Sequence, residues 1–161
     1  MKTIKLTRES ITDFMMRYFG AYSTIAQDPA MNRQMSEYYA PDITVSAYIG
    51  GEVAESDFEG FLLISSSHPG IQETLSPKHM VIDEAQGIVA VLVRGVFARK
   101  ATGEVIREMG FSAHYQLKLD EKETIKIEHL WLFAQYAPAG EKSLFEMYEE
   151  EMIEFFKDKD M

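Results

Sequence analysis

Residues 87–136 read GIVAVLVRGVFARKATGEVIREMGFSAHYQLKLDEKETIKIEHLWLFAQY, three strand-like runs joined at Ala101-Thr102-Gly103 and Asp120-Glu121-Lys122-Glu123. In the last run Ile125, Ile127, His129, Trp131 and Phe133 fall on one face, and Lys126, Glu128, Leu130, Leu132 and Ala134 on the other. The middle run sorts the same way, with Phe111, Ala113, Tyr115 and Leu117 against Ser112, His114, Gln116 and Lys118. Directly opposed residues share a face, so the apolar sets meet if Lys118 opposes Thr124 or the register slips by two. The first of these pairings sets His114 near Glu128 and away from His129. The first run, Ile-Val-Ala-Val-Leu-Val, is apolar on both faces, the pattern of a strand covered on both sides. An antiparallel meander follows from these three runs.

Working back toward the N-terminus, Thr7 caps a helix whose apolar residues Ile11, Phe14, Met15, Tyr18, Phe19, Tyr22 and Ile25 recur at three- and four-residue steps. Asp28-Pro29 opens a second helix through Met31, Met35 and Tyr38, which stops at Ala40-Pro41. A β-prone stretch from Asp42 to Tyr48 ends at Gly50-Gly51. Ser56-Asp57-Phe58-Glu59 has the form of a capping box and starts a third helix, which runs out in the turn-forming cluster Ser65-Ser66-Ser67-His68-Pro69-Gly70. The expected helices span about 8–27, 29–39 and 56–66. Ile71 to Asp83 alternates loosely around Pro77, a sign of a sheet edge or bulge. Beyond Pro138-Ala139-Gly140, the stripe Leu144, Met147, Tyr148, Met152, Phe155 and Phe156 marks a final amphipathic helix over about 141–157.

At 161 residues the chain reads as a single domain, 1–161, large enough to bury roughly 70% of its unfolded surface. It has no cysteine, which is compatible with a reducing cytoplasm, and no run approaches a membrane span. The expectation is a cytoplasmic protein with no membrane partner. A formal charge of −10 disfavours nucleic acid, whose phosphates require a basic surface. From Glu141 onward eight acids face three lysines, so the last helix has an acidic outer face. Such a run is read either as a solvated face or as a docking element.

The order of two helices, a short strand beginning Tyr39-Ala40-Pro41-Asp42-Ile43-Thr44-Val45, a third helix and a long meander resembles the nuclear transport factor 2-like superfamily. The Tyr-Ala-Pro-Asp-Ile-Thr-Val stretch looks like that family's helix-to-strand junction. Within it the match leans to the SnoaL-like and scytalone dehydratase-like branch, over about 9–136. The resemblance implies an α+β fold, cystatin-like, in which a cone-shaped curved antiparallel sheet wraps the N-terminal helices, here with an extra C-terminal helix. It also implies a pocket at the cone's open end and, as in many members, a homodimer through the sheet's outer face. Apolar residues on both faces of the sheet, Val89, Val91, Val93, Leu130 and Leu132, point to assembly as well.

Carried over by residue, Lys78-His79-Met80 looks like the dehydratase strand that supplies a catalytic histidine, and Gly110 to Gln116 like the strand carrying polar pocket residues, His114 and Gln116 among them. A second catalytic histidine of those enzymes has no counterpart near Phe97-Ala98-Arg99. Their Tyr-Asp pair is matched loosely by Tyr22 and Asp28. Proton abstraction beside a carbonyl needs a base and donors for the resulting oxyanion, and His79 with Tyr22 or Tyr48 offers both. Tyr18, Asp28, His114 and Gln116 are expected to line the pocket, although a lone histidine on an apolar strand also reads as structural, and Tyr18 as a satisfied core tyrosine. His129 beside Trp131 reads as core. No cofactor or metal is implied: the four histidines stand singly and no phosphate-binding glycine loop appears. The function expected is a cofactor-independent lyase or isomerase, dehydratase- or cyclase-like, acting on a small apolar or aromatic carbonyl compound. The alternative is a non-catalytic binding or assembly module of the same fold.

Overall fold

The computed structural model describes residues 5–49, 52–134, 140–142 and 144–157. Helix α1, Arg8–Tyr22, begins at Thr7, whose hydroxyl accepts from the Ser10 amide while the Ser10 side chain answers the Thr7 amide. The periodic stripe continues to residue 25, but the helix stops at Tyr22 because its next residues are bound elsewhere. Ser23 Oγ accepts the Leu75 amide at 3.0 Å, and the Gln27 side chain pairs with Glu73. The second expected helix is a 3-10 turn, Asn32–Glu37, and its last aromatic leads directly into β1, Tyr39–Ile49. β2, Glu52–Ser56, lies outside the sequence expectation; Gly50-Gly51, read as a turn, falls outside the described residues. Ser56 is taken up by β2, so the cap of α2, Phe58–Ser65, is Asp57, whose carboxylate accepts from the Gly60 amide at 2.8 Å. The remaining strands are β3, Ile71–Asp83, β4, Ile88–Arg99, β5, Val105–Leu119, and β6, Ile125–Ala134. Helix α3 runs Leu144–Lys157; Pro138 and Ala139, expected to break the chain before it, lie outside the described residues.

The six strands form one curved sheet in the order β2-β1-β6-β5-β4-β3, antiparallel throughout except for the parallel pair β1 and β6. Its concave face wraps α1. Val89, Val91, Val93, Ala113, Tyr115, Leu117, Ile125, Ile127 and Leu130 all turn inward to the core. The three valines and Leu130 are therefore on one face, not two, and the other face of β4 leaves Leu92 exposed rather than covered.

The register of the β5–β6 pair is slipped by two, with Leu119 opposite Ile125, and a bulge follows. Gln116 opposes His129 and Leu117 opposes Ile127, leaving Glu128 as the extra residue. A one-residue insertion exchanges faces, so Leu130 enters the core, and His129, Trp131 and Phe133 turn outward. His129 is thus half-buried on the outer face, stacked on Trp131 at 3.8 Å with Nε2 2.9 Å from Ser46 Oγ. His114 opposes Trp131, not Glu128.

The interior of the cone is aromatic. Tyr18 lies within 5.4–6.3 Å of the rings of Phe19, Tyr22, Tyr38, Tyr39 and Tyr115 in edge-on or tilted contacts, a geometry that contributes about 0.5–1.5 kcal/mol per pair beyond simple burial. Its hydroxyl is 2.9 Å from that of Tyr39. Burial, the largest cause, raises the phenols of Tyr18, Tyr39 and Tyr115 well above their ordinary range, so they remain neutral donors.

β3 is an edge strand, and three devices close its free side. The Gln27 amide accepts from Glu73 N–H at 2.7 Å and donates to Glu73 C=O at 2.6 Å, as a neighbouring strand would. Ser23 takes the Leu75 amide, and Pro77 has no N–H to offer.

Candidate functional site

Where α1 ends, α2 ends, β3 begins and β4 finishes, five polar side chains from separate elements converge. Tyr22 closes α1, Ser65 closes α2, His68 follows in the turn, Glu73 faces inward from β3, and Tyr148 reaches down from α3. All five are buried. His68 is held by its own turn: Nδ1–H donates to Ile71 O at 3.1 Å, because a carbonyl can only accept. Nε2 is thereby aimed at Glu73 Oε2, 3.5 Å away. The same carboxylate oxygen accepts from the Tyr148 hydroxyl at 3.2 Å. Tyr148 stacks on the imidazole at 4.2 Å and 21°, with Phe97 6.2 Å to the side.

Tyr22 stands close enough to Glu73 for the carboxylate's charge to act on its phenol. Burial pushes its phenol well above the usual range and the Glu73 charge adds to this, while Ser65 pulls the other way. Tyr148 is raised for the same two leading reasons. Two neutral phenol donors, a carboxylate and an oriented imidazole can hold an oxygen and move a proton. The scaffold behind them is rigid, since Gln27 fixes the Glu73 backbone and also donates to Tyr22 O at 3.0 Å.

Of the residues expected from sequence, Tyr22 alone stands in this cluster. Tyr18 is next to it in the sealed core, bonded to Tyr39. Asp28 shapes the turn after α1, accepting from the Ala30 amide at 2.9 Å. The bulge between Pro77 and His79 turns His79 outward and exposes it, with Met80 and Ile82 packing inward instead. His79 begins an outward cross-strand row that continues through Leu92, Ser112 and Phe133 to Tyr48. Four strand spacings of roughly 4.8 Å set His79 and Tyr48 on the order of 19 Å apart. They do not meet each other, and Tyr22 lies on the opposite face. His114 is exposed on that outward face, edge-on to Phe133 at 5.3 Å; Tyr48 stacks on Phe133 at 5.0 Å. Gln116 donates to Gln86 O at 2.7 Å and ties down the β3–β4 turn.

Sequence reading missed Ser65, His68, Glu73 and Tyr148 as site residues. His68 sat inside a turn cluster and Tyr148 inside an amphipathic stripe, so neither stood out. Glu73 carried a usable signal: between Ile71 and Leu75 it is the one acid on an otherwise apolar alternating face. Among the described residues no group of three or more His, Asp or Glu side chains is gathered as a metal site, and no helix is long and apolar enough to cross a membrane.

No family model matches the sequence, and no curated protein does. Solved structures do match in shape. An NTF2-like protein from Cytophaga hutchinsonii superimposes with a TM-score of 0.56 at 17% identity, covering 80% of this chain and 98% of its own. A protein from Catenulispora acidiphila, in complex with S-DNPA, gives 0.57 at 11% identity, over 78% and 94%. A ketosteroid isomerase-like protein from Erwinia carotovora atroseptica gives 0.52 at 16% identity, over 80% and 95%. The curved sheet around α1, the element order and these likenesses agree: the chain has the fold of the nuclear transport factor 2-like superfamily.

Proposed function

We propose that the chain is a cofactor-independent lyase or isomerase of the SnoaL-like branch, acting on a small, largely apolar carbonyl compound at the mouth of the cone. The observation that carries this reading is the burial of a carboxylate, an oriented imidazole and two phenols together at one end of the concave face. In the proposed reaction Glu73 removes the proton beside the carbonyl. Tyr22 donates to the oxyanion that forms, and His68 Nε2 stands where it can pass the proton on. Support for Glu73 rather than His79 as base comes from position, since Glu73 faces Tyr22 and His79 faces outward.

Replacing Glu73 by Gln keeps size and hydrogen bonding but removes the base. Turnover on any substrate found by screening carbonyl compounds falls roughly 10²- to 10⁴-fold, with circular dichroism unchanged. Unchanged turnover would remove Glu73 from the mechanism.

A second reading, a non-catalytic binding or assembly module, has its own support. Tyr18, Tyr39, Tyr115, Phe19, Met15 and Met35 fill the cone and are essentially inaccessible. Ligand binding without turnover across the same screen selects it. Either reading includes a homodimer through the outward face, where Val81, Leu92, Phe133 and Tyr48 are exposed. Sedimentation of a monomer at micromolar concentration would overturn that assembly. The absence of cysteine supports placing the protein in a reducing cytoplasm.

A further inference from the structure

Helix α3 inserts the ring of Tyr148 into the mouth. Tyr148 is 8% exposed, whereas Ile153 and Phe156 on the same helix are 57% and 51% exposed. The groups that receive Tyr148 are held without its help: His68 by Ile71 O, and Glu73 through its backbone by Gln27. The slot is therefore built by β3, its turn and the end of α1, and Tyr148 fills it from outside. What fills it has a defined chemistry, a flat ring stacked on imidazole and a neutral hydroxyl donating to a carboxylate. Beside it lies an open groove of about 590 Å³, lined by Tyr148, Met152, Ile153 and Phe156 together with Ser67, Glu149 and Lys157, within the usual volume of a small-molecule site.

We propose that Tyr148 occupies the ligand position from within the chain, and that the ligand is a hydroxyaromatic molecule whose ring replaces that of Tyr148 on His68 and whose hydroxyl donates to Glu73. The inference rests on the mouth being the binding site, and it deepens that reading by narrowing the carbonyl compound to one that also carries a hydroxylated ring, its hydroxyl on Glu73 Oε2 and the other carboxylate oxygen left to take the proton. The remainder of the ligand extends into the groove, where apolar side chains accept it. An external phenol competes with the tethered one, so binding releases α3. Competition lowers the apparent affinity by the fraction of time the slot is filled. A carboxylate that accepts a phenol's hydrogen bond also rejects the ring that lacks a hydroxyl, because Glu73 is then left without its donor.

The probe is p-cresol, with toluene as its match lacking the hydroxyl, on the full-length chain. In the wild-type protein, saturating p-cresol increases amide exchange in residues 144–157 and protects the 65–73 segment. Tyr148→Ala binds p-cresol at least about tenfold more tightly than wild type, and binds toluene at least about tenfold more weakly than p-cresol. Should Tyr148→Ala fail to fold, Tyr148→Phe keeps the ring, loses the hydrogen bond to Glu73, and still binds p-cresol more tightly than wild type. Unaltered exchange in α3 at saturation, equal affinity for toluene and p-cresol, or no p-cresol binding to the variant that folds would overturn the proposal. The two readings fail separately. Turnover lost in Glu73→Gln without any p-cresol effect sinks the ligand assignment and keeps the catalyst, while release of α3 by p-cresol without turnover does the reverse.

Discussion

Raising the pH should unfold this protein over a narrow interval, and the tyrosines set where. Tyr18, Tyr22, Tyr39, Tyr115 and Tyr148, five of the eight in the chain, have phenols raised by burial above their ordinary value. In the unfolded chain each releases its proton near pH 10. The folded state retains protons that the unfolded state gives up, so their contribution is fully present below about pH 10 and is lost as pH rises beyond it. Each such group costs about 1.4 kcal/mol per pH unit in that range, so five together cost about 7 kcal/mol per unit. Against a typical domain stability of about 5–15 kcal/mol, unfolding falls roughly between pH 11 and 12. The assay follows phenolate absorbance and far-ultraviolet circular dichroism in one titration. No more than three of the eight tyrosines should ionise while the dichroism is native, and the others should appear together with its loss. Eight phenolates formed before any loss of helix signal would refute the argument, because it would mean that the aromatic interior admits water.

Gln27→Ala removes the partner of both backbone groups of Glu73 and should cost about 2–4 kcal/mol in urea denaturation, far more than a surface glutamine would. Gly87→Ala should cost about 1–3 kcal/mol, since Gly87 has φ +66° and a Cβ there would lie 2.9 Å from Leu117 O; a thermal melt reads it. His79→Gln should leave turnover unchanged where Glu73→Gln lowers it roughly 10²- to 10⁴-fold, measured side by side on one substrate; the reverse order would return the base to His79. Deleting Glu128 removes the bulge residue and leaves Ile127 and His129 consecutive, a regular alternation that keeps Leu130 inward and Trp131 outward, so a soluble product with native fluorescence is expected; an insoluble or molten product would count against the bulge.

The fold was readable because its signals are local. Alternation in residues 105–119 and the stripe along α1 each recur often enough to identify an element. The caps of α1 and α2 were readable to within a residue, Thr7 as expected and Asp57 in place of Ser56 because β2 claims the serine, whereas the cap expected at Asp28 precedes Met31, where the 3-10 turn actually starts. The site was not, for two physical reasons. Its members come from five elements, and only tertiary packing brings His68 to Tyr148 across eighty residues of chain. The assignments to faces also depended on two bulges. Each inserts one residue, and each reverses every side chain beyond it, sending His79 outward on β3 and His129 outward on β6.

The closure of β3 by Gln27, Ser23 and Pro77 bears on how copies of this chain can join. A sheet with an open edge can recruit identical strands without limit, which leads to fibres. Here one edge has its outward hydrogen bonds at Glu73 and Leu75 already spoken for by side chains of the same molecule, and none to offer at Pro77. The other edge, β2, is five residues long and carries Glu52 and Glu55, whose charges repel a second copy laid alongside. Growth strand by strand is opposed at both ends, and what remains for self-association is the broad outward face. A contact made face to face about a twofold axis uses up that surface on both partners, so it terminates at two copies.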